Sequence, residues 1–264
     1  MPFRMDERAA MRDYALELAD AADAISLPAF LDGPDFRTKA DGTPVTSTDT
    51  AIEELIRGRI RRRFPTHGVL GEEYGEDAGS DGTRWIVDPI DGTANFVRRI
   101  HVWATLIGVE RDGELLAGVV SAPALGQRWS AICGGGATTT LHGRTSPARV
   151  SAVSRLEEAH LIHAGLSPFE AEGRGAGIRE ALRRSWRDRG LGDFWGYMLV
   201  AQGSADAMVE TGVSAWDLAG PALIVSEAGG RFTDLDGAPG YSGPTALATN
   251  GQLHAELVAL LAPR

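Results

Sequence analysis

The chain has 264 residues, 43% of them hydrophobic and 23% charged, which allows a substantial core in one large domain or two closely packed halves. Its formal net charge of −10 argues against a nucleic-acid backbone as the main partner, although cations held by carboxylates can still bind phosphate in an acidic protein. Cys133 is the only cysteine, which excludes an internal disulfide and zinc sites built on paired cysteines. Because no signal-like segment opens the chain and no apolar run could span a membrane, we expect a cytoplasmic protein without membrane partners.

The first half of the chain predicts two helices followed by a series of strands. Apolar residues recur at helical spacing over 6–30 and over 48–64, and Thr46, Ser47 or Thr48 can cap the second helix. The other elements predicted here are a turn-rich connector at 32–49, a short apolar run at 69–70, a polar loop at 76–83, a strand at 85–87, a hairpin at 102–122 and a strand from 127.

The second half predicts further helices that alternate with short strands. The helices are expected at 174–187, 193–203, 216–228 and about 251–261, and the strands at 205–210, 231–237 and 246–250. No repeat and no Pro- or Ser-rich linker interrupts this order. We therefore expect a layered mixed α/β fold in a single domain, with two packed halves at about 1–150 and 151–264.

Three carboxylate-bearing segments lie where apolar runs begin or end: Glu72-Glu73, then Asp88 and Asp91 in "WIVDPIDGTANF", and Asp217 after Trp216. Taken singly, each has an ordinary structural explanation as a turn, a solvated loop or, for Asp217, a helix N-cap. Taken together, the three segments offer oxygen ligands without a nearby His or Cys. Such a set suits Mg²⁺ or Mn²⁺ better than zinc.

Gly92 and Thr93 follow the second segment directly and begin a predicted helix. Free backbone N–H groups and the helix dipole at such a position favour a phosphate group. Metal-binding carboxylates beside an anion-accepting helix start suit the hydrolysis of a phosphate ester.

The blocks "GEEYG", "WIVDPIDGTANF" and "WDLAGPALIVSEAGG" resemble the defining motifs of the inositol monophosphatase family, which are Mg²⁺-dependent phosphatases. The segments "TPVTSTD" and "LVAQGSADAMVE" extend the resemblance through nearly the whole chain in the family's order. The resemblance implies a single catalytic domain with an α-β-α-β-α sandwich fold, a homodimer, and two or three Mg²⁺ ions per active site, with Mn²⁺ as an alternative.

The family's residue roles transfer to matching positions of this sequence. Glu72, Asp88 and the Ile90 carbonyl would hold the first metal, and Asp88, Asp91 and Asp217 the second. Glu72 would also act in catalysis, and Glu73 would lie beside the ligands without binding metal. The other implied roles are water orientation by Asp49 and Thr93, phosphate binding by the backbone of Gly92 and Thr93, and a substrate contact by Asp217.

Two segments indicate which phosphate ester is the substrate. "FVRRIHVWATLIGV…GVVSAPALGQRWSA" and "LGDFWGYMLVAQGSADAMVE" resemble the branch of the family that acts on histidinol phosphate in actinobacteria. That substrate carries an amine and an imidazole, so Asp193 and Glu210 are the candidates that would meet them; alternatively, Asp193 is the N-cap of its helix. The resemblance thus implies hydrolysis of L-histidinol phosphate in histidine biosynthesis. The rivals are a broader inositol-1-phosphate or sugar-phosphate phosphatase and a catalytically silent phosphate-binding member.

Several other residues have simpler explanations. His101 is expected in a surface loop, and Arg98 and Arg99 to solvate the surface more than to steer substrate. Trp85, Trp103 and Trp129 are expected in the core, and Cys133 as a small core residue.

Overall fold

The computed structural model describes residues 4–40 and 42–263. Within them, helices and strands build two large sheets and one small hairpin. The helices are α1 Met5–Asp32, α2 Ser47–Arg63, α3 Thr93–Val97, α4 Ser167–Ala171, α5 Gly175–Arg184, α6 Asp193–Ala201, α7 Ala215–Glu227 and α8 His254–Leu261. The strands are β1 Phe36–Thr38, β2 Pro44–Thr46, β3 Gly68–Gly71, β4 Gly75–Asp77, β5 Thr83–Asp91, β6 Ala104–Arg111, β7 Glu114–Ala122, β8 Gln127–Ile132, β9 Gly136–Leu141, β10 Arg144–Pro147, β11 His160–His163, β12 Arg187–Gly190, β13 Ala207–Thr211, β14 Arg231–Thr233 and β15 Thr245–Thr249.

The elements stack in five layers. The larger sheet has the order β10-β9-β8-β7-β6-β5-β3-β4 and is antiparallel except where β3 pairs with β5. The smaller sheet has the order β12-β11-β13-β15-β14. Helices α1 and α2 cover the outer face of the larger sheet, α6 and α7 lie between the sheets, and α5 and α8 cover the smaller sheet. The α-β-α-β-α sandwich predicted from the sequence is therefore confirmed.

The two sheets are joined by the close approach of α7 to β6 and β7. A Cβ atom at Gly108 would lie 2.7 Å from the Ala219 Cβ atom, and one at Gly118 would lie 2.8 Å from the Gly220 carbonyl oxygen. Two strand glycines and two small helix residues thus let the backbones meet. This contact fixes the N-terminal end of α7, which carries Asp217, against the sheet that carries Asp88 and Asp91.

A bulge at the end of β5 changes the direction in which Asp88 and Asp91 point. Asp88 pairs with Leu106 and Asp91 with Ala104, so the register shifts by one residue between them. In a regular strand, residues three apart point to opposite faces; the extra residue lets both carboxylates turn toward one side. Pro89, which has no N–H to donate, is accommodated at this irregular point.

Most of the predicted elements are present, with three differences. The connector at 32–49 contains the β1–β2 hairpin, and the polar loop at 76–83 begins with part of β4. The helix expected at 174–187 ends at Arg184, because Ser185 adopts an extended backbone and the next residues form β12. Thr46 is the N-cap of α2. No helix among the described residues is long and apolar enough to cross a membrane. The division near residue 150 stays a prediction.

Candidate active site

Three buried carboxylates meet where the two sheets face α7. Asp88 and Asp91 are 1% and 8% exposed, and Asp217 lies in the first turn of α7. One oxygen from each lies within 4.8 Å of the others. Asp217 is the third helical residue after the N-cap Ser214, whose backbone N–H donates to Asp217 Oδ2 at 2.7 Å. The alternative of Asp217 as an N-cap is therefore wrong: it completes a capping box instead.

Burial and mutual repulsion raise the pKa values of all three carboxyls. Burial and the charges of Glu72, Asp91 and Asp217 raise the pKa of Asp88 well above its usual range. Burial, together with the charges of Asp193 and Asp217, does the same to the pKa of Asp91. Burial also raises the pKa of Asp217 to about 7, against the hydrogen bond from Ser214. Like charges this close favour protonation or a cation between them.

The donor set fits a divalent cation. Asp88 Oδ1 is buried and has no hydrogen-bond partner among the described residues. A buried carboxylate oxygen without a donor is costly unless something positive faces it. Carboxylate oxygens and the nearby Ile90 carbonyl are hard ligands of the kind that Mg²⁺ and Mn²⁺ prefer. The Ile90 carbonyl also accepts a hydrogen bond from Thr93 Oγ1 at 2.9 Å.

Glu72 lies close to this cluster but faces a lysine. Lys39 Nζ lies 2.8 Å from Glu72 Oε1 and 2.7 Å from Glu73 Oε1. Burial alone would lower the pKa of Lys39, but these hydrogen bonds and charges raise it. The charge of Glu72 still contributes to the raised pKa values of Asp88 and Asp217. Lys39 thus binds both glutamates, and Glu72 lies outside the group formed by Asp88, Asp91 and Asp217.

Asp49 and Thr93 meet on the other side of the cluster. Asp49 is fully buried and completes the capping box of α2, accepting from the backbone N–H of Thr46 at 2.8 Å and from its hydroxyl. Its second oxygen lies 3.4 Å from Thr93 Oγ1. Burial raises the pKa of Asp49, although the bonds from Thr46 oppose the shift. The Thr93 hydroxyl is therefore within hydrogen-bond distance of both the Asp49 carboxylate and the Ile90 carbonyl.

A cavity of about 190 Å³ adjoins Asp91 and Asp217. Its walls include Asp193, Tyr197 and Glu210. Tyr197 donates its hydroxyl to Glu210 Oε2 at 2.6 Å. Burial raises the pKa of Glu210 to about 7, opposed by the Tyr197 bond and assisted by the charge of Asp193.

Asp193 reaches this cavity through an unusual backbone conformation. Its φ of 61° is left-handed, which is uncommon for a residue other than glycine. The N-cap of α6 is Gly192, so the alternative of Asp193 as the N-cap is wrong. Asn95 Nδ2 donates to Asp193 Oδ2 at 3.0 Å. A Cβ atom on Gly92 would lie 3.3 Å from the same oxygen, so Asp193 adjoins the predicted phosphate seat.

The first N–H groups of α6 are satisfied by the site itself. The Phe194 N–H donates to Asp91 Oδ2 at 2.7 Å, and the Asp193 N–H to Glu210 Oε1 at 3.2 Å. Free N–H groups at a helix start need acceptors, and here two site carboxylates supply them. The carboxylate cluster and the cavity are therefore connected through the first turn of α6.

Sequence reasoning assigned no site role to Lys39, Asn95, Tyr197 or Glu53. Lys39 lies in a turn-rich segment and meets Glu72 only through the fold. Asn95 and Tyr197 are paired with acidic groups distant in the sequence. Glu53 alone left a signal: a charged residue on the apolar face of a helix, flanked by Ile52 and Ile56.

The remaining expectations can be compared directly with the structure. Trp85, Trp103 and Trp129 are fully buried, as predicted. His101 and the pair Arg98 and Arg99 are exposed. Cys133 is only half-buried, because it lies in the turn after β8 and packs against the core from its edge; its assignment as a core residue is wrong.

Fold and site together define a phosphoric monoester hydrolase, and the chain belongs to the inositol monophosphatase family, whose profile matches residues 7–263. Members of this family are generally metal-dependent. A histidinol-phosphatase from Streptomyces coelicolor is 49% identical, covering 94% of this chain and 95% of that protein. A histidinol-phosphatase from Mycobacterium tuberculosis is 47% identical, covering 94% of this chain and 96% of that protein. The structure of the extragenic suppressor protein suhB from Bartonella henselae matches with a TM-score of 0.87 at 28% identity, covering 96% of this chain and 98% of that one.

Proposed function

We propose that this protein is a Mg²⁺-dependent phosphatase that hydrolyses L-histidinol phosphate to L-histidinol and phosphate, in histidine biosynthesis. The observation that carries the proposal is the acidic cavity, with Asp193 and Glu210, directly beside the Asp88, Asp91 and Asp217 cluster. A cavity with two buried carboxylates suits a leaving group with an amine and an imidazole better than an uncharged polyol.

Asp88, Asp91, Asp217, Glu72 and the Ile90 carbonyl are proposed to hold two or three Mg²⁺ ions. Such ions lower the pKa of water and offset the charge that develops on the phosphate oxygens. Mn²⁺ satisfies the same oxygen ligands.

The remaining groups are proposed to bind and orient. Thr93 Oγ1 and Asp49 Oδ1, which lie 3.4 Å apart, would both form hydrogen bonds to the attacking water and fix its direction. The backbone N–H groups of Gly92 and Thr93 bind the phosphate oxygens. Asp193 binds the cationic part of the leaving group, and Glu210, held by Tyr197 and by the Asp193 backbone N–H, lies beside it. Catalysis then depends mainly on positioning and charge.

A panel of substrates tests the assignment. We expect kcat/KM with Mg²⁺ for histidinol phosphate to exceed that for inositol 1-phosphate and fructose 1,6-bisphosphate by at least about tenfold, roughly 1.4 kcal/mol. Equal activity on inositol 1-phosphate would favour the rival, a broader phosphatase; curated relatives named inositol-1-monophosphatase, such as one from Mesorhizobium japonicum at 34% identity, keep that rival open.

Replacing one wall carboxylate should change specificity more than catalysis. For Asp193→Asn we expect KM for histidinol phosphate to rise about tenfold or more, because a hydrogen bond to a charged group is lost. Activity on inositol 1-phosphate, measured with the same protein, serves as the internal control and should change by less than about threefold. An unchanged KM for histidinol phosphate would remove Asp193 from its proposed role.

Two further parts of the proposal concern location and assembly. The protein is proposed to be a cytoplasmic homodimer. A silent, phosphate-binding role has little support, since every carboxylate named for the metals and Thr93 are present.

A further inference from the structure

Two charged side chains lie on the buried face of α2, one helical turn apart. Glu53 is 0% exposed and Arg57 is 4% exposed, and the Arg57 Nε–H donates to Glu53 Oε1 at 2.8 Å. A buried ion pair usually contributes little net stability, because both charges lose water. The other hydrogen bonds of Glu53 and Arg57 therefore have to account for a pair buried beside Ile52 and Ile56.

Glu53 holds the turn between β3 and β4, which carries Glu72. Its Oε2 accepts from the Glu73 N–H at 2.7 Å, and its Oε1 accepts from the Tyr74 N–H at 3.1 Å. The carboxylate also packs closely against Gly71, the residue just before Glu72. A Cβ atom at Gly71 would lie only 2.1 Å from Glu53 Oε1. The backbone on both sides of Glu72 is therefore in contact with one side chain.

Arg57 holds the two strands that flank this turn. Its Nη1 donates to the Val69 carbonyl at 3.4 Å and to Asp77 Oδ2 at 2.9 Å, and its Nη2 donates to the Gly75 carbonyl. Arg57 thus fixes β3 and β4 while it neutralises Glu53.

We propose that Glu53 is a positioning residue for the metal site: it fixes the β3–β4 turn so that the Glu72 carboxylate faces Asp88. The proposal rests on the proposed function, in which Glu72 is a metal ligand. Asp49 lies one helical turn before Glu53 on the same helix. One face of α2 therefore carries Asp49, the proposed water-orienting residue, and also holds the turn that carries Glu72, the proposed metal ligand.

Two variants separate the contacts of Glu53. Glu53→Gln keeps the size, but its amide NH₂ must face a donor, so one of the bound N–H groups loses its acceptor. Glu53→Asp keeps the charge beside Arg57 and withdraws the carboxylate by one methylene from the Glu73 and Tyr74 N–H groups. For both variants we expect the Kd of the metal-free protein for Mg²⁺ alone and for Mn²⁺ alone, measured by calorimetry, to rise about tenfold or more.

The matched control is Glu54→Gln, which removes an exposed charge from the neighbouring position of α2 and should leave both Kd values unchanged. Activity supplies a second readout: the variants should need more Mg²⁺ but approach the wild-type kcat at saturation. A purely structural role would instead lower the thermal midpoint of the metal-free protein and leave the Kd values alone.

The outcomes separate the two proposals. A wild-type protein that does not bind Mg²⁺ overturns the proposed function, and the role of Glu53 with it. Wild-type binding with unchanged Kd values in the Glu53 variants overturns the positioning role only. If Glu53→Gln does not fold, Glu53→Asp decides the question, because it retains a negative charge near Arg57.

Discussion

Replacing Asp88 by Asn should abolish hydrolysis and, at the same time, stabilise the metal-free protein. Asp88 is central to the cluster, buried and surrounded by Glu72, Asp91 and Asp217. Asn removes one negative charge that a divalent cation needs, so we expect kcat/KM to fall on the order of 10³-fold. The same change removes repulsion from the metal-free site, so we expect its free energy of unfolding to rise by about 1 kcal/mol or more.

Steady-state kinetics with Mg²⁺ and urea unfolding in EDTA measure the two effects on the same preparation. The control is Asp112→Asn in the exposed β6–β7 turn, whose left-handed backbone, with φ of 51°, suits Asn. That variant should match the wild type in both measurements. Full hydrolysis by Asp88→Asn would overturn the metal mechanism, and loss of activity together with lost stability would indicate a folding defect.

The segments that build the cluster of Asp88, Asp91 and Asp217 could be identified from the sequence because each carries a local signal. An apolar strand that ends in Asp88 and Asp91, and a Trp-Asp pair at a helix start, are visible without a structure. The local sequence pattern does not show how these segments come together in space. The bulge at Pro89 and the approach of α7 to Gly108 decide which way the carboxylates face, and both depend on pairing between distant segments.

The side chains that support the site were harder to predict. For Asp193 the sequence left a substrate contact and an N-cap as alternatives; neither interpretation could show its left-handed φ of 61° or the hydrogen bond from Asn95 to its carboxylate. Lys39 meets Glu72 across 33 residues of chain. Such partners are set by tertiary structure, so no periodicity can show them.

The elements missed outside the site share a cause. Strand β12, Arg187–Gly190, is an edge strand rich in charge and lacks the apolar alternation that predicts a strand. The hairpin β1–β2 lies among Gly, Pro and Asp residues that are typical of turns. In both cases the hydrogen bonds to a neighbouring strand stabilise an element that its own residues do not indicate.

Without metal, the protein should lose stability as pH rises, and saturating Mg²⁺ should remove this dependence. In the folded state the pKa values of Asp88 and Asp91 are well above their usual range, and those of Asp217 and Glu210 are raised to about 7. In the unfolded chain these carboxyls ionise near pH 4. Above that pH the folded state binds more protons than the unfolded state, so the free energy of unfolding falls with rising pH until the folded pKa values are passed.

The window from about pH 6.5 to 8.5 isolates this effect. His254 acts in the opposite direction, because burial lowers its pKa to about 4, but its contribution is nearly complete above its ordinary pKa of about 6.5. We expect the free energy of unfolding in EDTA to drop by at least about 2 kcal/mol across the window. Urea titrations at the two pH values measure it.

With saturating Mg²⁺ this fall in stability should disappear, because the carboxyls are then ionised in both the folded and the unfolded state. Metal binding requires ionised carboxylates, so the cation stabilises the folded protein more at the higher pH. Asp88→Asn should show a smaller drop in EDTA and little response to Mg²⁺. The contrary result is a wild-type stability that does not change with pH in EDTA and that Mg²⁺ raises equally at both pH values. It would mean that these carboxylates are already ionised without metal. Relief of their repulsion would then not contribute to the affinity for the cation.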